Sequence, residues 1–128
     1  MLNKIVLDTN CLIVSLSRHS EFYPVWQGLR TGRYILCVSN DIISEYREII
    51  AIKTSEIVAD NVVRMLAESP NVEFIDPRYH LELIQADPDD NKFVDCAFAA
   101  NATYIVSNDK HFNALKEIDY PKIQVIKL

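Results

Sequence analysis

Short apolar segments alternate with longer amphipathic segments along this chain. The first apolar segment is Ile5 to Leu7, and an acid, Asp8, follows it directly. Strands that are buried on both faces read as continuous apolar runs, and their alternation with helices is typical of a parallel sheet. The sequence therefore predicts an α/β fold with a central, mostly parallel sheet that is flanked by helices on both faces.

The apolar and capping patterns predict the individual elements. Strands are expected at 5–8, 34–38, 72–75, 104–106 and 123–126. Helices are expected at 12–17, 23–30, 41–52, 56–67, 91–101 and 111–117. The run Ser39-Asn40-Asp41 supplies capping oxygens for the third helix, and Ser55 is expected to cap the fourth. The polar, proline-containing stretch between 76 and 90 is expected to be a loop with one helical turn.

Length and composition indicate one domain that spans residues 1–128, with enough apolar residues, 49%, for a core of its own. No apolar run reaches the roughly 18 residues of a membrane span. The first eight residues lack the charged lead and long apolar segment of a signal peptide. We therefore expect a soluble, cytoplasmic protein.

Several classes of function are disfavoured by what the chain contains. Its net charge of −5 argues against a protein that coats nucleic acid, although not against an enzyme that acts on it. The two glycines are poorly spaced for a phosphate-cradling loop, and no nucleophile elbow is present. The three cysteines, an odd number in apolar stretches, are expected to be buried free thiols. The three histidines lack the spacing of metal ligands. His111 is therefore expected at the surface or next to the residues that bind a metal, rather than as a ligand itself.

Four acids occur where predicted strands end or predicted helices begin: Asp8, Glu45, Asp90 and Asp109. In open α/β sheets, ligands bind beyond the carboxyl ends of the strands. Acids that gather there repel each other unless a cation or a proton relieves them. Carboxylate oxygens in this number suit Mg²⁺ or Mn²⁺, so the pattern favours a divalent-metal site.

Helix geometry separates the acids of the third segment. At about 100° per residue, Asp90 lies on the apolar face that includes Phe93 and Ala97, whereas Asp95 lies on the opposite face. Asp90 is thus expected to point inward and Asp95 to face solvent. Glu45 falls at the margin of the apolar stripe of its own helix. Ordinary alternatives stay open here: a solvated glutamate, and acids that only cap helices.

Taken in order, four segments of the chain resemble those of the PIN-domain nucleases, and within them the VapC-like toxins of toxin–antitoxin pairs. The segments that carry the resemblance are Ile5–Asn10, Ser39–Tyr46, Asp87–Ala97 and Ala102–Asp109. The resemblance extends over nearly the whole length. One departure is Ser107-Asn108, where many relatives carry threonine with an arginine or a glycine.

The resemblance implies an endoribonuclease that hydrolyses RNA phosphodiester bonds with Mg²⁺ or Mn²⁺. It assigns the catalytic, metal-binding role to four acids, Asp8, Glu45, Asp90 and Asp109. The candidates for groups that support these ligands are Thr9, Asn10, Ser107 and Asp87. It also implies a protein antitoxin as partner, and we expect a homodimer. Apolar helix faces around Trp26 and at 62–66 offer a contact surface for the antitoxin or for a second copy of the chain, unless they pack in the core instead.

Two other functions stay open on the sequence alone. The chain could be a catalytically degenerate PIN-fold binding module that acts through a partner complex. It could also be a phosphatase with Asp8 as nucleophile, although Asn10 stands where a second acid is usual. For a nuclease, the cations that could steer a phosphate backbone are Lys53, Arg64, Lys92 and Lys110.

Overall fold

A five-stranded sheet forms the centre of the protein in the computed structural model, which describes residues 2–85 and 87–128. The strands are β1 (Lys4–Leu7), β2 (Ile35–Val38), β3 (Val72–Phe74), β4 (Tyr104–Val106) and β5 (Val125–Ile126). Their order is β3-β2-β1-β4-β5, and every pairing is parallel. The predicted α/β fold with a parallel sheet is confirmed.

Within the described residues, five α-helices and two 3₁₀ helices connect the strands. They are α1 (Thr9–Ser15), α2 (Tyr23–Arg30), α3 (Asn40–Lys53), α4 (Glu56–Glu68), α5 (Asn91–Ala100) and the 3₁₀ helices Pro88–Asp90 and Lys110–Glu117. The Ser39 and Ser55 hydroxyl oxygens accept from backbone N–H groups at 3.3 and 3.1 Å, so Ser39 is the cap within the predicted run Ser39-Asn40-Asp41, and the predicted cap at Ser55 is confirmed. Within residues 2–85 and 87–128, no helix has both the length and the apolar character that crossing a membrane requires.

The short helix predicted at 111–117 is present as a 3₁₀ helix over 110–117, a tighter form that proteins use in short pieces. One local prediction was wrong. Asp95 is buried, with 7% of its surface exposed, instead of facing solvent. The reason is that the loop before Asp90 folds over this side of α5, where the Leu81 N–H donates to the Asp95 carboxylate at 3.0 Å.

Buried aromatic side chains anchor the helices at the carboxyl end of β1. Tyr46 of α3 is fully buried, and its hydroxyl donates to the carbonyl oxygen of Leu7. Phe93 of α5 contacts Phe112 of the second 3₁₀ helix edge to face, with ring centroids 6.4 Å apart. All three cysteines are free and buried, as predicted. The core therefore holds three helices against the strand that ends at Asp8.

Candidate active site

The strand order reverses between β1 and β4, because the chain builds one side of the sheet from β1 to β3 and then returns to add β4 beside β1. Ligands of open α/β sheets bind at such a point, beyond the carboxyl ends of the strands. Asp8 follows β1 here, and its N–H donates to the Val106 carbonyl at 3.0 Å. Ser107 follows β4 at the same level. The topology thus places the first and fourth predicted segments side by side.

Asp8 is buried at this edge, with 7% of its surface exposed. The Ser107 hydroxyl donates to its Oδ2 at 2.7 Å. Burial raises the pKa of Asp8 above its ordinary value; the Ser107 hydrogen bond opposes this shift, and the charges of Asp109 and Glu45 add to it. Asp8 is therefore a carboxylate held in place by a neutral donor and repelled by two other acids.

Glu45 extends from α3 toward the same edge, and both of its oxygens have partners. The Thr9 hydroxyl donates to Oε2, and the Lys92 ammonium donates to Oε1 at 2.7 Å. The Glu45 and Lys92 side chains are 23% and 20% exposed, so the ion pair is largely screened from water. Sequence analysis named Lys92 only as one of four cations that could steer a phosphate backbone. The structure places it in direct contact with Glu45.

Asp90 closes the first 3₁₀ helix and points inward as helix geometry predicts, with 9% of its surface exposed. Burial first, and then the charges of Asp109, Asp87 and Asp8, raise the pKa of Asp90 to about 6, while His111 lowers it. Its Oδ2 is buried without a hydrogen-bond partner among residues 2–85 and 87–128. A carboxylate in this position needs a positive charge nearby to be stable when ionised.

Asp109 caps the second 3₁₀ helix and also faces the cluster. Its Oδ1 accepts from the His111 backbone N–H at 2.9 Å, and its own N–H donates to the Ser107 hydroxyl oxygen at 3.0 Å. Ser107 therefore links Asp8 to Asp109. Asp109 is thus a helix cap, one of the alternatives that the sequence left open, and it also lies inside an acidic cluster.

His111 lies among the acids, although the sequence had set it aside. Its Nδ1 is 3.3 Å from Asp109 Oδ1, 3.4 Å from Asp90 Oδ2 and 3.9 Å from Asp87 Oδ2. Histidine spacing along the chain carries no sign of this arrangement. The only signal was its position two residues after Asp109, at the start of a helix that returns to the same edge of the sheet.

Asp87 and Asn10 lie at the periphery of the cluster. Asp87 caps the first 3₁₀ helix by accepting from the Asp89 N–H at 3.2 Å. Asn10 is exposed and lines a cavity of about 300 Å³ together with Asp8 and Asp109. A larger cavity of about 800 Å³ lies between the start of α3 and the loop before α5, and Lys92 lines it. The acids thus border space that a ligand can enter.

The donor set fits a divalent cation. Carboxylate oxygens are the ligands that such ions prefer, and Asp8 and Asp90 are each destabilised by neighbouring negative charge. The buried and unpartnered Oδ2 of Asp90 is the strongest sign, because a bound cation would satisfy it. Glu45 fits less well as it stands, since a cation would have to displace Lys92 or Thr9 from its oxygens.

Comparison with known proteins agrees with this description. A family model described as PIN domain matches residues 4–111. No curated protein sequence matches the chain significantly. Among solved structures, the chain is similar to VapBC2 from Rickettsia felis bound to a DNA fragment from its promoter, with 17% identity, 98% of both chains covered and a TM-score of 0.68.

Two further structures are similar over almost the whole chain. DNA-bound VapBC from Salmonella typhimurium is 21% identical, with 99% of this chain and 98% of that one covered and a TM-score of 0.63. VapC20 from Mycobacterium tuberculosis, a toxin that cleaves the sarcin-ricin loop, is 13% identical, with 90% and 97% covered and a TM-score of 0.64. With 108 consecutive residues matched by the family model, from 4 to 111, the chain belongs to the PIN domain family.

Proposed function

We propose that this protein is a divalent-metal-dependent endoribonuclease, and that it is the toxin of a toxin–antitoxin pair. The observation that carries the proposal is the meeting of Asp8, Asp90 and Asp109 at the reversal of strand order, where the charge of Asp109 helps to raise the pKa values of Asp8 and Asp90. Acids in such an arrangement are typical of a site that binds a cation and a phosphate together. The toxin assignment is supported by the fold that the chain shares with VapC20 and the VapBC complexes.

In this proposal Asp8, Glu45, Asp90 and Asp109 hold Mg²⁺ or Mn²⁺. When bound, the ion supplies a more acidic water, orients it for attack on phosphorus and stabilises the charge that develops on the phosphate oxygens. Ser107 keeps Asp8 and Asp109 at a fixed separation. In the reaction the water oxygen bonds to phosphorus, the bond to the 3′-oxygen breaks, and that oxygen takes up a proton.

Lys92 has a second role in the proposal. Its ammonium donates to Glu45 and its side chain lines the larger cavity, so we place the RNA backbone in that cavity. A phosphate bound there would lie near the positive charge of Lys92. A cavity at the surface suits single-stranded or looped RNA better than a rigid duplex.

Replacing Asp8 tests the proposal. We expect the purified protein to cleave RNA with Mn²⁺ or Mg²⁺, to lose this activity in EDTA, and to be slowed by about 100-fold or more in Asp8→Asn. The reason is that the amide keeps the shape of the side chain but removes its charge. Gel analysis of a labelled single-stranded RNA provides the measurement.

The control is Asp119→Asn, which removes the same charge from an exposed residue outside the cluster and should cleave at the wild-type rate. Circular dichroism establishes that both variants are folded. An Asp8→Asn protein as active as the wild type would remove Asp8 from the catalytic acids.

One observation favours a second function, a PIN-fold binding module that has lost catalysis. Both Glu45 oxygens are satisfied by Thr9 and Lys92, as in a site that no longer needs an ion. Titration with Mn²⁺ and the cleavage assay separate the two functions. A binding module would leave RNA intact at saturating Mn²⁺, or fail to bind the ion at all.

The proposal includes an antitoxin chain as partner and a homodimer as the resting state. Ile52 near the end of α3 and Ile57 at the start of α4 are 72% and 73% exposed, and they give a second copy an apolar contact surface. By contrast, Val62 and Leu66 are taken up by the core. We expect sedimentation velocity to show a dimer that becomes a monomer in the double variant Ile52→Ser, Ile57→Ser. A wild-type monomer at 100 μM, or a dimer that survives both changes, would contradict this part of the proposal.

A further inference from the structure

The imidazole of His111 has no ordinary structural role in the site. Its Nδ1 is buried and has no hydrogen-bond partner among residues 2–85 and 87–128, although carboxylate oxygens lie 3.3 to 3.9 Å away. A hydrogen bond of usual strength would bring the nitrogen and one oxygen to about 2.7–3.0 Å. The nitrogen therefore faces the acids without bonding to any one of them.

Asp90, which faces His111, also has a buried side-chain atom without a hydrogen-bond partner among the described residues. This atom is Oδ2, and it lies 3.4 Å from His111 Nδ1. Unpaired polar atoms inside a protein are destabilising, so two that face each other need an explanation. A third group bound between them would explain both.

A single cation matches this space. Asp87, Asp90 and His111 each offer one ligand atom, and these three atoms all lie within 4.8 Å of one another. An ion with bonds of about 2.0–2.2 Å to nitrogen and oxygen can contact atoms so placed. Asp109 supports the arrangement, because its Oδ1 accepts from the His111 backbone N–H and so fixes the start of the helix that carries the imidazole.

We propose that His111 Nδ1 is a direct ligand of the cation, together with Asp90 and Asp87, and that it makes this site select first-row transition ions over Mg²⁺. Imidazole nitrogen suits transition metals, whereas Mg²⁺ prefers an all-oxygen shell. The inference rests on the proposed function only in that both use a cation at the same acidic edge. It changes the expected ligand set, because Asp87 and His111 replace Glu45, whose oxygens are already bound by Thr9 and Lys92.

Pulsed electron paramagnetic resonance of the full chain loaded with Mn²⁺, in the absence of RNA, tests the proposal. A directly bound imidazole nitrogen modulates the electron spin echo of Mn²⁺, and carboxylate ligands do not. We expect this modulation in the wild type and its loss in His111→Gln. Calorimetric titration should show Mn²⁺ affinity reduced by at least about 10-fold in His111→Gln, with Mg²⁺ affinity changed less.

The matched control is His80→Gln. His80 also lies near a buried acid, with its Nδ1 3.5 Å from Asp95 Oδ2, but its side chain is 78% exposed and outside the cluster. This variant should keep the nitrogen modulation, and circular dichroism checks that both variants fold. A wild-type spectrum without nitrogen coupling would overturn the proposal, as would coupling that persists in His111→Gln.

The test of His111 as a ligand does not depend on whether the protein cleaves RNA. Nitrogen coupling in a protein that cleaves no RNA would support the ligand assignment while refuting the nuclease. Active cleavage by a protein without the coupling would do the reverse, and His111 would then be only a neighbour of the acids. Equal Mg²⁺ and Mn²⁺ affinities in the wild type would refute the selectivity.

Discussion

Asp90→Asn will stabilise the metal-free protein by about 2 kcal/mol at pH 7.5 and will also abolish RNA cleavage. Burial and three neighbouring acids raise the pKa of Asp90 from its ordinary 3.8 to about 6. Each unit of such a shift corresponds to about 1.4 kcal/mol, and solvent screens the part-exposed charges of Asp87 and Asp109, which reduces the total. The amide removes a buried charge while keeping the shape. Urea unfolding in EDTA measures the change.

The pH dependence follows from the same shift. Below about pH 4 Asp90 is protonated in both the folded and the unfolded chain, so it has no effect on stability. As the pH rises from about 4 to about 6, the unfolded chain releases the proton first, and the folded state becomes relatively less stable. We therefore expect the free energy of unfolding of the metal-free wild type to fall across this window. The fall should be smaller in Asp90→Asn.

Two comparisons make this prediction specific. Asp89→Asn removes the same charge from the exposed neighbouring residue and should change stability by less than about 0.5 kcal/mol. Saturating Mn²⁺ should stabilise the wild type and leave Asp90→Asn almost unaffected. The account of the acidic cluster would be wrong if Asp90→Asn destabilised the metal-free protein.

Phe112→Ala will destabilise the protein by about 3–5 kcal/mol, the largest effect that we expect from a single change. Phe112 is fully buried and contacts Phe93 edge to face, so alanine leaves a cavity between α5 and the helix that carries His111. Phe112→Leu fills most of the volume and should be destabilising by only about 1 kcal/mol. Thermal and urea unfolding give both values.

The contact also positions the site, since Phe112 directly follows His111 and lies three residues after Asp109. We expect Mn²⁺ affinity to fall in Phe112→Ala even at temperatures where the protein is folded, because the second 3₁₀ helix loses its anchor. Phe112→Leu should bind Mn²⁺ nearly as the wild type does. Unchanged affinity in the folded alanine variant would show that Phe93 does not hold the ligands in place.

The regular part of this protein follows from local patterns in the sequence. The apolar run before Asp8 and the capping serines at 39 and 55 predicted elements that the structure contains. The inward direction of Asp90 followed from helical periodicity alone, because Phe93 and Ala97 on that face are core residues. These predictions succeeded because they depend on contacts within one element.

The errors lie where a loop decides the outcome. Asp95 is on the polar side of its helix, yet a loop without regular structure covers it and donates a backbone hydrogen bond to it. His111 approaches Asp90 only because a 3₁₀ helix returns to the edge of the sheet. Residue periodicity does not determine the path of the loop or of the segment that leads to this 3₁₀ helix. The burial of Asp95 and the position of His111 therefore could not be predicted.

The ion pair between Lys92 and Glu45 affects how much free metal the Glu45 carboxylate needs before it can bind an ion. An ammonium that is covalently tied to the fold is a counter-ion that dilution cannot remove, and tethering keeps its effective concentration high. Any divalent ion that takes Glu45 as a ligand must first displace this resident cation. Glu45 then becomes a ligand only at a higher free concentration of the ion than an open carboxylate would require, and below that concentration an ion would rest on Asp90, Asp87 and His111, as proposed above.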